Sequence, residues 1–143
     1  MRGWLKSLQT SNHDNSTEHD RQLAAAALLY EVARADGQWQ ENETEELLQR
    51  MSTRWQLSQE DAAALLTEAR SVAENATDYH ELIRVLRQWP PQQRINLVAD
   101  MWAVAYADDE VHPHEEYVIR KVADLLYVSH SDFIHTKLQH SKD

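Results

Sequence analysis

From about Asp20 onward, apolar residues recur every three or four positions, and this spacing predicts a succession of helices. The first is expected over about Asp20 to Ala35, with Leu23, Ala24, Ala27, Leu28 and Val32 on its buried face. It closes at Asp36-Gly37, where glycine can take the left-handed conformation. A second helix covers about Glu41 to Trp55 and turns Leu47, Leu48 and Met51 inward. Ser58, with Asp61 three residues on, reads as the cap of a third helix running to about Ala73. Thr77 is placed to cap a fourth, on which Leu82, Ile83, Val85 and Leu86 are apolar. Pro90-Pro91 stops that helix and starts a fifth, to about Ala107, because proline is tolerated at the first helical position. A sixth helix is expected over about Pro113 to Leu126 and a seventh over about Ser131 to Gln139. The predicted fold class is therefore all-α, with about seven helices in one domain over residues 20–140. Residues 1–19 read as a flexible lead-in, since Gln9 to Thr17 offer almost nothing to bury.

The pattern repeats. At a shift of 72 residues, Val32-Ala33-Arg34-Ala35-Asp36 lies over Val104-Ala105-Tyr106-Ala107-Asp108. Trp39 then falls on Val111, Glu43 on Glu115 and Leu47 on Ile119, and at a shift of 71 Leu57, Ser58 and Asp61 fall on Val128, Ser129 and Asp132. Two pseudo-symmetric helical halves are expected, each with an acidic turn after its first helix.

Composition narrows the function. Two glycines in 143 residues leave no stock for a phosphate-cradling loop, and the absence of cysteine removes disulfides, thiolate metal sites and a cysteine nucleophile. The longest apolar run, Leu23 to Tyr30, is eight residues, too short to span a bilayer. The start Met1-Arg2-Gly3-Trp4-Leu5-Lys6 lacks the apolar stretch of an export signal, so a cytoplasmic location is expected. With 14 Lys and Arg against 24 Asp and Glu, the net charge of −10 is the wrong sign for nucleic acid.

That charge is local. Residues 36–46 hold Asp36, Glu41, Glu43, Glu45 and Glu46, residues 108–116 hold Asp108, Asp109, Glu110, Glu115 and Glu116, and neither segment has a Lys or Arg. These ten carboxylates equal the net charge, and the rest of the chain balances at 14 acids against 14 bases. Carboxylates gathered this way repel, and a divalent cation or a basic partner would relieve the repulsion. Asp36, Glu43, Asp108, Glu110 and Glu115 are the candidate metal ligands, with His112 and His114 able to turn the second segment toward a transition metal. Trp39, Glu41, Asp109 and Glu116 are the candidate partner contacts, Trp39 as an aromatic anchor. A purely structural account competes. Pro113 puts His112 at N-cap and Glu115 at N3, Gln40 and Glu43 occupy those positions in the first copy, and a glutamate at N3 bonds back to the N-cap amide. The seven-residue step from Asp36 to Glu43 is not that of an EF-hand, which needs roughly eleven.

Catalysis has little support. No serine sits on a glycine elbow, and the eight histidines are scattered, with His135 and His140 off the spacing that shares a helix face. Trp55, Trp89 and Trp102 read as core, and Arg84 and Arg87 as a solvated face. The expected function is a non-catalytic interaction domain whose cofactor, if it has one, is a divalent metal ion. A metal-dependent hydrolase using the same carboxylates, or a protein whose acids only cap helices, remain the alternatives.

The paired patterns Val32-Ala33-Arg34-Ala35-Asp36-Gly37 with Glu43, and Val104-Ala105-Tyr106-Ala107-Asp108-Asp109 with Glu115, resemble the TerB-like family, named for a component of bacterial tellurite-resistance operons. The likeness runs from about Leu23 to Phe133 and is closest to the small stand-alone members. It implies an all-α fold of two related halves, an acidic face proposed to bind metal, and protein partners in membrane-linked stress-response assemblies. By position the family's acidic residues fall on Asp36, Glu43, Asp108 and Glu115, and the chain departs from the pattern with Asp109 where the first turn has Gly37. Lacking cysteine, it has no thiol chemistry of its own to direct at tellurite.

Overall fold

The computed structural model describes residues 17–35, 41–76, 79–107 and 111–140, with residues 41–43 described by their backbone alone. Among them are seven helices and no strand: α1 (Glu18–Ala33), α2 (Glu41–Trp55), α3 (Gln59–Asn75), α4 (His80–Leu86), α5 (Pro91–Ala105), α6 (Pro113–Leu125) and α7 (His130–His140). The all-α expectation holds, element by element. Thr17 starts α1 earlier than the apolar spacing suggests: its hydroxyl accepts the Asp20 N–H and the Asp20 carboxylate accepts the Thr17 N–H, each at 3.1 Å. Helix α4 begins at His80, and Tyr79 at its N-cap makes no side-chain capping bond. Thr77 lies outside the described residues.

Helix α1 is the axis of the fold. Leu23 through Tyr30 are all buried, because α2, α3, α4, α5 and α6 all pack on this one helix. A helix apolar on every side needs such a setting, and the four small side chains of Ala24–Ala27 let neighbours approach closely. Helix α5 is its counterpart, buried from Leu97 through Ala105. The most extensive packing of α1 is with α3, and that of α5 is with α7.

Local devices recur at the offsets read from the sequence. Both α1 and α5 end in the same closing turn, with Arg34 N–H on Tyr30 C=O (3.0 Å) and Tyr106 N–H on Trp102 C=O (2.9 Å). The linkers after α2 and α6 also match. Gln56 (φ 56°) and Tyr127 (φ 60°) sit in the left-handed region, and the next residue's N–H reaches back to Ser52 C=O (3.0 Å) or Ala123 C=O (2.9 Å). Ser58 and Ser129 then cap α3 and α7 by accepting the Asp61 and Asp132 N–H groups at 3.0 and 3.1 Å.

Trp89 and Trp102 are buried and Trp55 packs against the core. Arg87 is not merely a solvated side chain: its Nε donates to Leu125 C=O at 3.0 Å, and Arg94 Nη1 donates to Leu126 C=O at 2.8 Å. Both guanidinium groups thereby satisfy carbonyls left open at the end of α6.

Candidate functional site

The second acidic segment leads into α6, whose start follows from Pro113 at the first helical position and His112 at the N-cap. Glu115, at N3, folds back so that its Oε1 accepts the His112 N–H at 2.9 Å, and only 2% of the residue is exposed. A buried carboxylate is tolerated here because it meets a main-chain donor at the positive end of the helix. Next to it, Glu116 accepts from Arg120 Nη2 at 3.1 Å and from Lys137 Nζ at 3.5 Å, which ties α6 to α7. Partial burial pushes the Glu116 carboxyl up, but the bond from Arg120 and the charge of Lys137 outweigh it and hold the group below the ordinary glutamate value. His112 and His114 are exposed.

In the first acidic segment, the described side chains begin at Thr44. Glu45 is exposed, and Glu46 accepts from Arg50 Nε at 2.6 Å. Asp36, Trp39, Asp108, Asp109 and Glu110 lie outside the described residues, as do the side chains of Glu41 and Glu43; the backbone places Glu43 in the first turn of α2. No group of three or more metal-ligating side chains occurs among the described residues. No described helix is long and apolar enough to cross a membrane.

The helices that border the two acidic segments meet. Helix α6, which follows the second segment, packs on α1, which leads into the first. At the end of α1, Arg34 pairs with Glu31 through Nε (2.9 Å) and Nη2, and Nη2 also reaches Ala73 C=O at 3.4 Å. Tyr79 donates to Glu31 Oε2 at 3.3 Å, while Lys121 of α6 places its ammonium 5.5 Å from the Tyr79 ring. Burial, then the charge of Glu31 and the bond to it, push the Tyr79 hydroxyl up to about 12. It stays protonated as a donor.

Sequence reasoning missed the most buried acid–base contact. Asp100, 3% exposed on α5, is held by Arg54 of α2 through two bonds, Nε–Oδ2 at 2.8 Å and Nη2–Oδ1 at 2.9 Å. The pair borders a cavity of about 210 Å³ walled by Trp55 and Trp89, where Trp89 Nε1 donates to Glu18 at 3.3 Å. His140 lies within electrostatic reach of the pair and of Arg50 and Glu46. Its burial, followed by the charge of Arg50, lowers its pKa from the ordinary histidine value. The available signal was an aspartate inside the apolar stretch from Leu97 to Val104.

A family model described as tellurite resistance protein TerB matches residues 22–138. No curated protein and no solved structure matches the chain.

Proposed function

Since the chain belongs to the TerB tellurite-resistance family, we propose that it is a non-catalytic interaction domain whose acidic segments, residues 36–46 and 108–116, receive a divalent cation or a basic partner. The observation that carries this reading is the confinement of the whole net charge to two repeated segments whose bordering helices, α1 and α6, pack on each other. Such a concentration of like charge is costly unless something cationic offsets it. Among the candidate carboxylate ligands Glu115 already engages a main-chain amide, which leaves Asp36, Glu43, Asp108 and Glu110; Glu116, a candidate partner contact, is already shared by two cationic side chains. A bound divalent cation would supply charge neutralisation and would join the two segments.

The reading in which the acids serve only as helix caps has one specific observation in its favour, the Glu115–His112 bond. Calorimetric titration with calcium, magnesium, manganese and zinc separates the two, on the natural protein and on Asp36→Asn with Asp108→Asn. Binding with micromolar affinity that the double variant loses supports the cation form of the proposal. Silence with all four ions, together with equal capture of an oligolysine peptide by both proteins, overturns it. Turnover of a phosphoester that a chelator abolishes would point instead to the hydrolase alternative.

A further inference from the structure

Two surface grooves lie at positions related by the offset of the sequence pattern, and their chemistry differs. Between α2 and α3 runs a groove of about 590 Å³ lined by Glu45, Leu48, Gln49, Ser52 and Gln59. Between α6 and α7 runs its counterpart, about 480 Å³, lined by Tyr117, Arg120, Lys121, Asp124, His130 and Phe133. The shift of 72 lays Tyr117 on Glu45, Arg120 on Leu48, Lys121 on Gln49 and Asp124 on Ser52, and the shift of 71 lays His130 on Gln59. Matching left-handed linkers join the two helices that flank each groove. An acidic and neutral groove in one half is thus an aromatic and cationic groove in the other.

The second groove has the features of a contact surface. Tyr117 is 63% exposed at its rim, and buried Phe133 forms its floor, with the Arg120 guanidinium 4.9 Å from the ring and the His130 imidazole stacked at 6.4 Å. Lys121 makes no ion pair among the described residues. Arg120 shares Glu116 with Lys137, and Asp124 is the one acid among the lining residues. Past Lys121 the surface continues into a hollow of about 190 Å³ bordered by Tyr79, His80 and Arg87. Exposed tyrosine and arginine around an apolar floor are the residue types that carry binding energy at interfaces. A channel between two helices accepts the apolar face of a third helix.

We propose that the α6/α7 groove docks a short acidic amphipathic helix of a partner protein, its aliphatic face over Phe133 and Tyr117 and its carboxylates toward Arg120, Lys121 and His130. Charge complementarity selects this occupant: in a protein of net charge −10, the groove gathers cations where its duplicate has none. Nucleic acid, the other anionic class, needs a long row of phosphate contacts, and the groove offers only Arg120, Lys121 and His130 beside Asp124.

The test uses two fluorescein-labelled synthetic helices with leucine at positions i, i+3, i+4 and i+7, one flanked by glutamate and one by lysine. Fluorescence anisotropy is read on the full chain, on Arg120→Glu with Lys121→Glu, on Lys121→Glu alone, and on Gln49→Lys in the first groove. Lys121→Glu breaks no ion pair within the described residues, so it guards against a folding defect in the double variant. The expected result is binding of the glutamate-flanked helix, weakened at least about ten-fold by the double variant and about three-fold by Lys121→Glu, unchanged by Gln49→Lys, with amide shift changes confined to residues 117–133. The proposal is overturned by equal binding of the lysine-flanked helix, by shifts in the α2/α3 groove, by indifference to Lys121→Glu, or by no binding. Sedimentation showing that the groove instead pairs two copies of this chain overturns it as well. Asp36→Asn with Asp108→Asn leaves this binding intact whether or not the acidic segments take up a cation.

Discussion

The two three-helix units, α1–α3 and α5–α7, share the closing turns of their first helices, their left-handed linkers and the serine caps of their third helices, but differ in what stands at equivalent positions. Where α1 carries Tyr30, whose hydroxyl donates to Glu74 at 2.8 Å, α5 carries Trp102, fully buried against Tyr106, Phe133 and Lys137. Where α1 carries the apolar Leu28, α5 carries Asp100, bonded across to the first unit. The backbone pattern survives these exchanges because it depends on main-chain bonds and small residues, whereas the side chains are free to specialise.

The sharpest test of that difference is the aromatic centre of each unit. Trp102→Ala is expected to cost about 3–5 kcal/mol, since a large buried side chain leaves a cavity that helices on both sides cannot close. Tyr30→Ala should cost less, about 2–3 kcal/mol, because the Tyr30 hydroxyl already reaches exposed Glu74. Urea unfolding measures both. Equal losses would mean that the two units are packed alike at this position. Trp102→Phe should cost less than Trp102→Ala, because it leaves a smaller cavity and because, among the described residues, the buried Trp102 Nε1 has no hydrogen-bond partner to lose.

Next in size is the bond between units. Asp100→Ala strands a guanidinium that is one-third exposed, so the loss is expected at about 2 kcal/mol rather than the full value for a dry pair. Asp100→Leu with Arg54→Met restores the apolar choice made at Leu28 and should stay within about 1 kcal/mol of the natural protein. A double variant as damaged as Asp100→Ala would show that the pair does more than bridge the units.

These cases also show what sequence reading reaches. Helix number, Pro91 and Pro113 at helix starts, the Ser58 cap and the His112–Glu115 bond all depend on residues within four positions of one another, and all were legible. The Arg54–Asp100 pair joins residues 46 apart, and Arg87 reaches a carbonyl 38 residues away. Local periodicity carries no information about such contacts. The α6/α7 groove was hidden for another reason: Arg120 and Lys121 look like any solvated helical face until α7 is laid beside them.

The acidic segments give a comparison of about 1–2 kcal/mol. Glu115→Ala removes a buried cap and is expected to cost that much in thermal or urea unfolding. Glu43→Ala, at the matching N3 position, should cost less if Glu43 serves a ligand, and should gain a cation-dependent effect that Glu115→Ala lacks. Identical costs without cation dependence would favour caps in both copies. The neighbouring Glu116 adds a pH dependence. Its folded pKa is depressed, so its contribution is full above the unfolded glutamate value of about 4.3 and disappears as pH falls through the lower folded value. The stability gap between the natural protein and Glu116→Gln should therefore close on acidification below about pH 4.

The smallest expected effect separates the two linkers. Gln56 and Tyr127 both hold a positive φ that glycine adopts without a Cβ clash, and that strain is of the order of 1 kcal/mol for other residues. Gln56 is exposed at the end of α2, so Gln56→Gly should stabilise by about 0.5–1 kcal/mol, less what glycine adds to the entropy of the unfolded chain. Tyr127 has a second task. Arg87 lies 4.6 Å over its ring while donating to the last carbonyl of α6, and removing the ring frees that guanidinium to leave the helix end. Tyr127→Gly should therefore show no gain, or a small loss. Equal gains at the two positions in urea unfolding would mean that the Arg87–Tyr127 contact contributes nothing and that the linkers are equivalent in energy as well as in shape.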